Sequence, residues 1–184
     1  MSASPIQPVM PCAAAAGAAS RQAQAVACEP LVLADARQLA AVLNRELVQC
    51  RRFGRGGLSV LLIDAWPHPP LGEPLSAEGG QRLRQAVAAR LRARVRGGDV
   101  VATLGEQQHR LAVILLNAGR KESDLVQARL HKALGGPYGV EERHLYMRLV
   151  MGAAAYPAAG GSGEELVSAA TAMLARHAGT PLRA

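Results

Sequence analysis

Arg96 and Asp99 stand on either side of Gly97-Gly98, so one short turn carries a guanidinium, a carboxylate and a bare stretch of backbone. Glycine has no Cβ, which removes the steric penalty at positive φ and lets a ligand approach the main chain. A cation and an anion bracketing such a turn can hold a nucleotide, with the arginine as a planar two-pronged donor. A second candidate is Asp64, at the carboxyl end of the apolar run Leu58-Ser-Val-Leu-Leu-Ile-Asp64. A carboxylate there can ligate Mg²⁺, although a lone strand-end acid more often serves as a cap or a solvated group. His68, His109, His131, His144 and His177 are scattered without ligand spacing, which points to loop and surface roles. Cys12, Cys28 and Cys50 form no C-x-x-C pair, so neither a disulfide framework nor a zinc site is expected, and a reducing cytoplasm fits best.

The turn needs a helix before it and a strand after it. Leu83, Val87, Leu91 and Val95 recur every four residues, the stripe of a buried helix face, and predict a helix over 79–95 that the two glycines end. Residues 99–104 and 111–116 read as strands joined by a hairpin loop over 105–110. Upstream, Asp35 caps a helix with Gln38 in the capping-box position and Leu39, Val42, Leu43 and Leu47 inward. The run 58–64 reads as a central strand buried on both faces. Residues 65–76 carry Pro67, Pro69, Pro70 and Pro74 and are expected to be a loop. Ser123 is the expected cap of a helix to Leu134 with Leu125, Val126, Leu130 and Leu134 in the core. A strand within 144–156, with Leu145, Met147, Leu149 and Met151 on one side, and a helix over 164–178 complete the order α-β-α-β-β-α-β-α.

A chain of 184 residues that is 49% hydrophobic can bury one good core. The expected organisation is a flexible tail over 1–29, rich in Ala, Pro, Gln and Ser, and one α/β (α+β) domain over 30–184. The formal net charge of +7 is carried almost wholly by arginine. This suits an anionic partner, but an arginine-for-lysine bias also follows from a GC-rich genome, so charge alone decides nothing. Arg82, Arg84, Arg90, Arg92 and Arg94 spread over the outer faces of one helix, and aromatic residues make up only 3% of the chain, too few for base stacking along a strand of nucleic acid. The alanine run at 13–19 has no basic residue before it and reads as no signal segment. No apolar run reaches the roughly 18 residues of a membrane span.

The order of elements resembles the GGDEF domain of diguanylate cyclases over residues 35–179. Leu58-Ser-Val-Leu-Leu-Ile-Asp64 is similar to the family's first strand, which ends on its metal-binding Asp. Asp99-Val-Val-Ala-Thr-Leu-Gly105 and Leu111-Ala-Val-Ile-Leu115 resemble the strands that flank the signature loop, and Met151-Gly-Ala-Ala-Ala-Tyr-Pro157 a later strand. The resemblance implies a ferredoxin-like nucleotidyl-cyclase sheet covered by helices.

Departures fall on the catalytic positions. Where the family has Gly-Gly-Asp/Glu-Glu-Phe, this chain has Gly105-Glu-Gln-Gln-His-Arg-Leu111, two residues longer and with Glu106 as its single acid. A second acid expected after Asp64 is Trp66, the guanine-binding loop is replaced by prolines and Gly80, and the late phosphate-binding Lys is absent around Arg176. Two-metal phosphoryl transfer needs several converging carboxylates, so the expectation is a domain with no enzyme activity and no catalytic metal. Arg96-Gly-Gly-Asp99 matches the family's inhibitory R-x-x-D, and Arg129 matches a second arginine on the helix after the hairpin. The resemblance therefore implies a cyclic di-GMP site of Arg96, Gly97, Gly98, Asp99 and Arg129. Guanine offers O6 and N7 to a guanidinium and its N1 and N2 hydrogens to a carboxylate. The implied function is an inactive receptor of cyclic di-GMP acting on a protein partner, by analogy exopolysaccharide or cellulose-synthesis machinery. A ligand-free scaffold or homodimerisation module, with Arg96 and Asp99 as an ordinary ion pair, is the alternative, and a residual cyclase the third reading.

Overall fold

A computed structural model describes residues 30–54, 56–68, 74–105 and 110–178 of the chain. The expected tail over 1–29 and Glu106 lie outside the described residues. The elements are β1 (Leu31–Leu33), α1 (Ala36–Arg52), β2 (Leu58–His68), α2 (Ala77–Arg92), β3 (Val100–Leu104), β4 (Arg110–Leu116), α3 (Arg120–Leu134), β5 (Tyr138–Val140), β6 (Arg143–Tyr156) and α4 (Gly163–Ala178). The sheet runs β1-β3-β4-β2-β6-β5, with β1 parallel to β3 and the remaining pairs antiparallel. This is the mixed α/β, nucleotidyl-cyclase type of sheet that the pattern implied. The short edge strands β1 and β5 escape prediction because three residues carry no usable period.

Local chemistry sets the helix ends. Asp35 accepts from the amides of Arg37 and Gln38, the capping half of the expected box, whereas Gln38 Oε1 accepts from Ala34 N at 2.9 Å, one residue before the cap, instead of from the Asp35 amide. Ser76 caps α2 through the Gly79 amide at 2.9 Å, and this helix stops at Arg92, before the glycine pair that the periodicity assigned to its end. Ser123 does not cap α3. That helix begins one turn earlier, at Gly119, whose amide donates to Glu122 Oε2 at 3.0 Å, and Ser123 is buried inside it. As a result Leu125, placed in the core by the sequence pattern, is 73% exposed.

β2 carries two cores because its side chains alternate between faces. Leu58, Val60 and Leu62 meet Leu39, Leu43 and Leu47 of α1 and Leu166, Ala170 and Leu174 of α4. Leu61 and Ile63 meet Leu83, Val87 and Leu91 of α2 and Leu130 and Leu134 of α3 on the other face. Each fully buried leucine contributes roughly 1.5–3 kcal/mol, so the stretch of β2 that leads to Asp64 is held from both faces. Under α4, β6 carries Gly152, where a Cβ would run into the backbone of Ala170 and Leu174. Helix and strand therefore touch main chain to main chain.

One expectation fails outright. Residues 65–68 are not loop but the last part of β2, with Pro67 opposite Met147. The β4 register ends at the Asp64–Arg110 pair, so beyond Asp64 β6 is the one strand among the described residues that accompanies β2. A strand with one open side is where a sheet tolerates proline.

Candidate functional site

Two places in the fold gather the residues singled out by the sequence. The first is where β2 meets the start of β4. Asp64 and Arg110 face each other in register across these strands. Arg110 donates from Nε to Asp64 Oδ1 at 2.6 Å and from Nη2 to Oδ2 at 2.7 Å. Asp64 is therefore neither a cap nor a solvated acid: its side chain is 8% exposed, against 39% for that of Arg110. The hydrogen bond from Asp64 raises the Arg110 pKa above its ordinary value, which fixes the guanidinium as a permanent cation there. Both carboxylate oxygens are thus filled by a fork of matching geometry. Among the described residues no three His, Cys, Asp or Glu side chains converge as metal ligands. A cation already seated on Asp64 opposes a divalent ion, so the described residues do not fit one.

The second place is the turn before β3. Asp99 N donates to Arg96 O at 3.0 Å, and Arg96 N donates back to Asp99 Oδ2 at 2.8 Å, so the turn is closed in both directions. Asp99 Oδ1 accepts from Leu116 N at 3.1 Å, tying the turn to the end of β4. From the last turn of α2, Arg92 reaches Asp99 O at 2.6 Å and Gly97 O at 2.8 Å. Asp99 is therefore a buried acid, 6% exposed, with each oxygen accepting a backbone amide. Nor is there a side-chain ion pair between Arg96 and Asp99, since their link runs through the Arg96 amide.

Gly97 and Gly98 also differ from expectation. Neither has a positive φ, and a Cβ on either would meet nothing within 4 Å. What they supply is a low rim. Arg129 reaches the same place across the fold, donating from Nη2 to Arg94 O at 2.8 Å. Arg96, Asp99 and Arg129 line one open depression of about 180 Å³ with Glu122, Leu125 and Val126. The Arg96 guanidinium, exposed to solvent, has no hydrogen-bond partner among the described residues.

Sequence reasoning missed Arg92, Arg110 and Glu122. The capping position of Glu122, three residues after Gly119, could have been read from the chain; Arg92 acts through the local turn geometry, and Arg110 requires the β2–β4 register. A further cavity of about 310 Å³ lies beside Trp66, Leu83, Arg84 and Met147 near the end of β2.

Comparison with known proteins follows the geometry. A family model described as the GGDEF domain of diguanylate cyclases matches residues 33–180. No curated protein matches the chain. Among solved structures, the GGDEF domain of YfiN from Pseudomonas aeruginosa is 22% identical, covering 79% of this chain and 84% of that one, with a TM-score of 0.69. An EAL/GGDEF domain protein from M. capsulatus is 26% identical over 74% and 86% of the two chains, with a TM-score of 0.61. DgcB from Caulobacter crescentus, solved with its coiled coil and in complex with c-di-GMP, is 14% identical over 80% and 78%, with a TM-score of 0.63.

Proposed function

The protein belongs to the GGDEF domain family, and we propose that it is a catalytically inactive member that receives cyclic di-GMP at the turn before β3 and relays it to a protein partner. The observation that carries the first half is the Asp64–Arg110 pair. Two-metal phosphoryl transfer needs carboxylates free to hold cations that clamp a triphosphate. Here the strand-end carboxylate that the family would turn to metal is saturated by an arginine. That arginine directly precedes Leu111, as the family's signature Glu precedes its Phe.

Support for the second half is the assembly of Arg96 and Arg129 around one depression, with Gly97 and Gly98 keeping its edge low. Paired guanidiniums suit the O6 and N7 acceptors of guanine and the diester phosphates of a cyclic dinucleotide. Asp99 contributes by holding the turn. The relative from Caulobacter crescentus was solved with this dinucleotide, which makes it the ligand to try first. Exopolysaccharide-synthesis machinery is the kind of partner proposed. The competing scaffold reading draws on one observation, the structural role of Asp99, which a ligand-free turn would also need.

Two measurements test this. Incubation with GTP and Mg²⁺ or Mn²⁺ is expected to yield no cyclic di-GMP; product that disappears on Asp64→Ala would return that residue to metal binding. Calorimetry with cyclic di-GMP at moderate salt is expected to show saturable binding at micromolar ligand. Absence of heat, together with partner binding that ignores the dinucleotide, would leave the scaffold reading standing.

A further inference from the structure

Asp99 is only 6% exposed, and its two oxygens are turned toward the amides of Arg96 and Leu116, so the carboxylate at the turn is directed into the fold and not toward the hydrogens of a guanine. The depression contains one other acid. Glu122, on the first turn of α3, lines it together with Arg96 and Arg129. Its Oε2 accepts the Gly119 amide at 3.0 Å, while Oε1 has no hydrogen-bond partner among the described residues. Beside it Leu125 is 73% exposed, an apolar surface of the size a purine face can cover.

Resting on the dinucleotide reading above, we propose that Glu122 is the residue that selects guanine in this chain. Its open Oε1 accepts from the base N2–H₂ and the second lone pair of Oε2, beside the Gly119 amide, accepts from N1–H, while Leu125 and Val126 support the ring and the two arginines take the opposite edge and the phosphates. A carboxylate faced by paired donors discriminates strongly, because a base lacking one donor leaves an oxygen unsatisfied. Asp99 is then a positioning residue for Arg96 and not a reader of the base.

The experiment is calorimetric titration of the full chain and of Glu122→Gln with cyclic di-GMP and with its inosine counterpart, which lacks the 2-amino group. Gln is accepted at this capping position, so the melting temperature is expected to stay unchanged. Wild type is expected to prefer the guanine ligand by about tenfold or more, and Glu122→Gln to lose about tenfold to hundredfold for that ligand with the preference largely erased. Asp99→Asn is expected to melt at a lower temperature yet keep the preference at a temperature where it is folded. Glu122→Gln with wild-type affinity and wild-type preference overturns the assignment, and if Arg96→Ala abolishes binding in the same series, the dinucleotide site itself stands. Wild type that binds neither ligand overturns both.

Discussion

The end of β2 and the turn before β3 each join an arginine to an aspartate, and they use the pair in opposite ways. At the end of β2 the two side chains satisfy each other, Nε and Nη2 of Arg110 on the two oxygens of Asp64. At the turn the carboxylate of Asp99 is given wholly to backbone amides and the guanidinium of Arg96 is left facing solvent. A charge neutralised inside the fold cannot act on a ligand. A charge whose neighbour is engaged elsewhere can, and this difference separates the site proposed to be inactive from the one proposed to work.

Removing Asp99 should give the largest effect. Asp99→Ala orphans the Leu116 amide and opens the turn, and hydrogen bonds to a charged acceptor are worth roughly 1.5–3 kcal/mol each. Chemical denaturation is expected to show a loss of about 3 kcal/mol. A loss under about 1 kcal/mol is what an exposed ion pair would give and would erase the distinction between the two regions.

Arg110→Met is expected to follow, leaving a buried carboxylate uncompensated. Breaking a buried pair costs about 3–5 kcal/mol, and the partial exposure of Arg110 reduces this to about 2 kcal/mol. In the wild type the raised Arg110 pKa contributes stability that is full below the unfolded arginine value and lost only as pH rises through the folded one. Its pairing should therefore not vary across the physiological range.

Arg96→Ala and Arg129→Ala sharpen the comparison from the other side. Cyclic di-GMP affinity is expected to fall by about tenfold to hundredfold with unfolding curves nearly superimposable for Arg96→Ala. The smallest effect should come from Arg82→Ala. Its pair with Glu78 has side chains 67% and 74% exposed, so under about 0.5 kcal/mol is expected, a baseline for a pair with nothing buried.

Much of this was legible in the chain. Capping by Asp35, the two-faced strand 58–64 and the inward set Leu145, Met147, Leu149 and Met151 follow from short-range pattern, and the structure carries them. The proximity of Arg96 and Arg129 needed the family resemblance, since 33 residues of chain have no local period linking them. Partner identity for Asp64 and Asp99 was not legible, because both depend on the β2–β4 and β3–β4 registers, which juxtapose residues far apart in sequence. The start of α3 was misplaced because Ser123 has a better capping side chain than Gly119. There the glutamate three residues on closes the box without one.

The bare contact between Gly152 and α4 bears on how a signal would travel. Most helices rest on a layer of side chains that can rotate and absorb a displacement. Here Ala170 and Leu174 lie against strand backbone with no room for one added carbon, so the two elements are coupled like a bar laid on a rail. At this crossing no side chain separates α4 from β6, and β6 lies alongside β2. Amide protons in the middle of β6 and in the second half of α4 should accordingly exchange with solvent at one common rate, while those of α3 keep their own.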